Sequence, residues 1–243
     1  MGITAGCLAA LAILGDQAAD RYENKASTLT FKESEVTAEK AVDDLNVVLS
    51  EAIEVMFLAG AAKAEAIRAL RRTVARQAAS SIGEGSRATY YSLKRESGGL
   101  RILGQPKHGK EAGRYDVPDR PFIEKEDRAH PIWELMDRAD EEPEVHSYPE
   151  EVYGVDWTTK KYTTFYSVPV KANTVQLGML SVNNSQVGSI GGAQRAVLLA
   201  MARTMALVIA SHKGPRLLNT QATYSAMSAA PTTVSDIGQR SSK

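Results

Sequence analysis

The sequence predicts an α+β domain, an antiparallel sheet with a long N-terminal helix and a C-terminal helix packed on one of its faces. Three observations lead there. Thr163–Val170 and Val175–Asn184 read as two long strands joined by the short turn Lys171-Ala172-Asn173-Thr174, the pattern of an antiparallel hairpin. An amphipathic run follows as far as His212, with Val197, Leu198, Met201, Ala202, Met205, Val208 and Ile209 on one apolar face. Upstream, Thr37–Ser80 lacks proline and is rich in Ala, Glu, Lys, Arg and Leu, which predicts one long helix.

Taken in chain order, the first segment (residues 1–36) carries an apolar run, Gly2 to Leu14, ended by Gly15-Asp16. As a helix it covers only about 20 Å, too short to span a bilayer, and no Lys or Arg precedes Arg21 to form a secretory n-region. Two readings stand: a short helix buried against the domain or a partner, or the end of a membrane segment that begins upstream. On the second reading, residues 2–14 associate an otherwise cytoplasmic chain with a membrane.

The long helix (residues 37–82) has Thr37 as its cap, with Lys40 three residues on, an imperfect capping box. Val42, Leu45, Leu49, Ala52, Met56 and Ala59 fall on alternating three- and four-residue steps, the spacing of a seam facing another helix. Lys63 interrupts the seam, and Ile67, Leu70, Val74 and Ala78 restart an apolar face. The stripe either lies on the domain's own sheet or joins two copies, so a homodimer through residues 37–82 is one expectation. Ser80-Ser81-Ile82-Gly83-Glu84-Gly85 ends the helix.

Arg87–Lys94 and Leu100–Gly104 read as a second hairpin turned at Gly98-Gly99. From Gln105 to Trp157 the chain is polar and irregular, broken by Pro106, Pro118, Pro121, Pro131, Pro143 and Pro149. One helix is expected within it, at Pro131–Arg138, with Pro131 in its first turn and Ile132, Leu135 and Met136 inward. After the amphipathic helix, Gly214-Pro215 is a stop signal, and the Ser-, Thr- and Ala-rich remainder (residues 213–243) has the composition of a disordered tail.

Ser167-Val168-Pro169-Val170, followed by Leu177-Gly178-Met179-Leu180 and Val182-Asn183-Asn184 and then a final helix, resembles the closing half of a GAF domain. The long helix leading directly into a hairpin agrees with that family's order. The resemblance covers residues 83–212. It implies a GAF-like fold acting as a small-molecule sensor, with the middle segment as lid and wall of the ligand pocket and the terminal helices assembling between subunits. On that footing Phe122, His130, Trp133 and His146, with Tyr115 beside them, are candidates to line the pocket, and Tyr166 or Val168 to floor it from the sheet.

Composition narrows the functions. Lys+Arg and Asp+Glu both number 29, so the electrostatic signature of nucleic-acid binding is missing and no nucleic-acid partner is expected. The basic run Arg68, Arg71, Arg72, Arg76 and the acidic run Asp137–Glu151 read as solvated faces. The single cysteine, Cys7, precedes the domain. It rules out an internal disulfide, a cysteine-based methionine sulfoxide reductase and a bilin anchored by thioether within the domain. Noncovalent ligands such as cyclic nucleotides or haem stay open, and His130 and His146 are residue types that titrate near neutrality or ligate haem iron. The spread of His108, His130, His146 and His212 argues against a metal site, and the sequence names no cofactor.

No nucleophile elbow, Walker loop or dinucleotide fingerprint occurs, and Glu124, Glu126 and Asp127 read as a solvated loop rather than as acid–base catalysts. The expected function is a noncatalytic sensory or regulatory module that binds a small molecule and signals through its terminal helices. The alternative is a dimeric structural or interaction protein of the same fold without a ligand.

Overall fold

A computed structural model of the chain describes residues 35–96, 98–110, 114, 120–138, 146 and 160–229, with backbone alone for Gln105, Lys110 and 215–229. Helix α1 (residues 35–56) and helix α2 (Gly60–Ile82) form a helical hairpin. Strands β1 (Ser86–Arg95), β2 (Arg101–Lys110) and β3 (Phe122–Ile123) follow, then helix α3 (Pro131–Asp137), strands β4 (Thr164–Ala172) and β5 (Val175–Asn184), and helix α4 (Gly192–Ala229). The sheet is five-stranded in the order β3-β2-β1-β5-β4, and its neighbours pair antiparallel. The expected α+β fold is the one formed, with α1, α2 and α4 against one face.

Both expected hairpins form, but β2 runs past the expected end at Gly104 to Lys110, into the segment expected to be irregular. Strand β2 continues through Pro106 because the register slips between Tyr90 and Ser92. The proline therefore sits in a bulge, where a ladder N–H is not required.

The expected single helix over residues 37–82 is instead two. Ala59 is extended (φ −135°, ψ 163°) and Gly60 takes φ +56°, a region that costs an L-residue about 1–2 kcal/mol and glycine little. The chain turns back on itself there. Lys40, expected to complete a capping box, spans the hairpin instead: its ammonium donates to the Ser80 carbonyl and, at 2.6 Å, to the Ser80 hydroxyl.

The doubling back also changes the apolar seam. Ala41, Val48, Ala52 and Val55 are buried with α2, α4 and the sheet, whereas Val42, Leu49, Ile53 and Met56 remain exposed beside them. Only Ala52, with half-buried Leu45, belongs both to the expected seam and to the packed face.

Alternation along the strands sorts side chains between two cores. Ala88, Tyr90, Tyr166, Val168, Val170, Leu180 and Val182 meet the helices. Tyr91, Leu103 and Met179 point the other way, into a smaller core with Ile132, Trp133 and Met136 of α3 and with Phe122. Helix α2 approaches β2 so closely that a Cβ on Gly109 would sit 2.2 Å from the Ala75 carbonyl oxygen, which makes that position a glycine by necessity.

Two further expectations change. Trp133, rather than Leu135, joins Ile132 and Met136 on the buried side of α3. The segment expected as a tail is helical from 215 to 229: Gly214 leaves helical geometry (φ 74°, ψ 166°), and Pro215 then occupies a helix start, where its missing N–H costs nothing. Residues 1–34 and 230–243, with Tyr115 and the expectations placed on them, lie outside the described residues.

Candidate functional site

The loop after β3 and the start of α3 build a cavity of about 470 Å³, lined by Arg120, Pro121, Phe122, Ile123, Glu126, Asp127, His130, Trp133 and Lys160. Phe122 pairs with β2 through the Leu103↔Phe122 register. Its ring meets Tyr91 edge-on at 5.4 Å and His130 edge-on at 5.0 Å. The result is an aromatic wall continuous with the smaller core.

His130 is placed by its role as the N-cap of α3. Its Nδ1 accepts the Ile132 backbone N–H at 3.2 Å, satisfying one of the donors that a helix start leaves over, and Pro131 supplies the helical φ of the next position. With Nδ1 committed as acceptor, the neutral ring carries its proton on Nε2. Burial holds the His130 pKa below its ordinary value, Asp127 opposing the shift and Lys160 adding to it. Trp133 is buried, and its indole N–H donates to the Asp127 carbonyl at 2.7 Å, which closes the loop onto the helix.

Arg101 anchors this wall to the sheet. Only 7% exposed, it grips Glu124 from Nη2 to Oε1 at 2.7 Å and from Nε to Oε2 at 3.0 Å, while its backbone N–H donates to the same Oε2 at 2.8 Å. Its guanidinium also reaches both oxygens of Asp137 at the end of α3 and lies over the Trp133 ring, 5.1 Å from the centroid. Gln176 of β5 completes the set, donating to the Met136 carbonyl at 2.8 Å and to Asp137 at 2.9 Å.

Burial by itself would raise the Glu124 carboxyl, but hydrogen bonds and charge from Arg101 hold it below the usual carboxylate range. Burial likewise opposes ionised Arg101, and its two acidic partners raise its pKa over that opposition. Glu124 is therefore not part of a solvated loop, as its neighbours Glu126 and Asp127 are. One buried, paired cation holds β3, α3 and β5 together.

Of the residues singled out in the sequence, Phe122, His130 and Trp133 come together at the cavity. The other two do not join them. His146 bridges to the outer edge of β4, exchanging backbone hydrogen bonds with Phe165 at 2.9 and 3.1 Å and stacking on its ring at 4.9 Å. Strands β3 and β4 are opposite edges of the sheet, so the two histidines are far apart. Tyr166 and Val168 point to the helices and belong to the larger core.

Arg120 and Lys160 line the cavity and were not singled out, because nothing local distinguishes them from other surface cations. Arg101 carried a signal: period-two alternation puts it on the same face as Leu103. Among the described residues no cluster of His, Cys, Asp and Glu has the makings of a metal site. The Gly192–Gly214 part of α4 is long and apolar enough to cross a membrane, and half of it is buried within the protein.

No family model matches the chain, and no curated protein does. Among solved structures, the GAF domain of an Acinetobacter phosphoenolpyruvate-protein phosphotransferase is similar at 16% identity and a TM-score of 0.47, over 69% of this chain and 91% of that one. The corresponding GAF domain from Coxiella burnetii is similar at 13% identity and a TM-score of 0.48, over 71% and 94%. A bacteriophytochrome from R. palustris is similar at 10% identity and a TM-score of 0.46, over 69% of this chain and 36% of its own.

Proposed function

We propose that the chain is a noncatalytic, cytoplasmic GAF-like sensory or regulatory module that binds a small molecule in the cavity beside β3 and α3. The observation that carries this reading is the pinning of the cavity wall to the sheet through Arg101, with Phe122, His130 and Trp133 converging on one concave surface of about 470 Å³. That volume falls within the roughly 300–1,000 Å³ of small-ligand sites. Occupancy that shifts α3 would load Arg101 and Gln176, and so the strands whose far face carries α1, α2 and α4. Native mass spectrometry of the purified chain, followed by denaturation, is the test. A stoichiometric small molecule released on unfolding, and lost in Trp133→Ala, supports the reading; bare protein that no small molecule stabilises against heat refutes it.

A second reading, assembly into a homodimer, is favoured by the exposed flank of α1. Val42, Leu49 and Met56 repeat every seven residues, and Ile53 (59% exposed) and Phe57 (86%) extend the patch. The Ser211 hydroxyl of α4 contacts Met56 Sδ at 3.2 Å, and Leu207 one turn earlier is 63% exposed. Helices α1 and α4 thus present one apolar strip, and a heptad stripe meets its own copy in register. The two readings are compatible, the dimer serving as the output of the sensor, with the run at residues 2–14 as its membrane attachment.

A further inference from the structure

We propose that the cavity beside β3 and α3 takes a small zwitterion with an aromatic body, the chemical class of a free aromatic amino acid. The proposal rests on the small-molecule reading of that cavity and adds what the molecule must carry. Phe122 and His130 are half-buried and offer ring surface to an incoming ring, the geometry that aromatic pairs favour.

Charge is the more selective feature. Two cations, Arg120 and Lys160, and two anions, Glu126 and Asp127, line the same small cavity. None of the four forms an ion pair within 4.0 Å with another described residue, whereas the neighbouring Glu124 and Arg138 are both paired. Groups of opposite sign are thus held apart across one concave surface, close enough for Asp127 and Lys160 to act with opposite sign on the same His130 ring. A ligand with one charge gains from half of this set and is repelled by the other half. A ligand carrying both signs gains from both.

His130 adds a directional contact. Its Nδ1 is occupied by the Ile132 N–H, so only Nε2–H remains for a ligand, as a donor suited to a carboxylate oxygen. The ammonium of the same molecule falls to Glu126 and Asp127, and half-buried Phe122 flanks its ring.

Isothermal titration calorimetry of the full chain with L-phenylalanine, phenylacetate and phenethylammonium tests this, because the three share a ring and differ only in charge. The expected result is saturable binding of L-phenylalanine at least about tenfold tighter than either singly charged probe, a difference of about 1.4 kcal/mol. Lys160→Ala and Glu126→Gln are both at exposed positions and leave folding intact. Each should weaken L-phenylalanine about tenfold, whereas Glu126→Gln should leave phenylacetate unchanged or tighter.

Equal or tighter binding of phenylacetate or phenethylammonium overturns the zwitterion class and leaves the small-molecule site standing. Failure of all three probes overturns the proposal too. Native mass spectrometry, which detects a retained molecule of any charge, then decides the small-molecule reading separately.

Discussion

Replacing Arg101 by methionine is the sharpest test of what holds the cavity wall. The substitution keeps most of the apolar stem and removes the guanidinium, leaving Glu124 with no cation and only the Arg101 backbone N–H. Asp137 fares better, because its side chain is half exposed and water can replace the lost partner. Removing one partner of a buried ion pair costs about 3–5 kcal/mol, and the stacking contact on Trp133 adds to the loss. Against a total stability of about 5–15 kcal/mol for a domain, such a variant keeps only part of its margin. Urea unfolding followed by circular dichroism reads the change as a lower midpoint at unchanged slope. The double variant Arg101→Met/Glu124→Met removes both buried charges and should recover more than half of the loss. A single variant within about 1 kcal/mol of the parent, or a double variant less stable than the single, would refute the claim that this pair is the anchor.

Three other outcomes follow from the geometry. His130 has a lowered pKa in the folded chain, so its contribution to stability is complete above the unfolded value near 6.5 and falls as pH drops from there toward the folded pKa. His130→Asn keeps a capping side chain without the titration, so its melting temperature should decline less between pH 7.5 and 5 (~2.5 units) than that of the parent; identical profiles would contradict this. Gly109→Ala places a methyl group 2.2 Å from the Ala75 carbonyl and should cost about 2–3 kcal/mol in chemical denaturation, since backbone must move on both sides. Met56→Lys should convert a dimer to monomer in sedimentation analysis while changing fold stability by less than about 0.5 kcal/mol, because the side chain is already 41% exposed. A charged variant that still sediments as a dimer would rule out the α1 strip as the interface.

The sequence by itself determined what depends on neighbours in the chain. Strand-forming residues bounded by turns gave β1, β4 and β5; the 3.6-residue period gave α4 as far as His212; Pro131 marked the start of α3. The hairpin motif carried the family likeness for the same reason, since a tight turn and two alternating strands are written contiguously. The break at Ala59-Gly60 left a weaker mark, because an isolated glycine inside a good helical pattern is tolerated, and only packing of α1 against α2 decides that the chain turns there.

Tertiary structure alone decided which face each residue serves. Tyr166 has the same alternation whichever side holds the cavity, and the placement of α1, α2 and α4 puts it with the helices. His130 and His146 look alike in the chain, and the strand order sends them to opposite edges of the sheet. Glu124 and Glu126 read as the same polar loop, yet Glu124 meets a cation from a strand that precedes it by more than twenty residues. Partners so distant in sequence are chosen by the register and order of the strands, which the whole core must fix together.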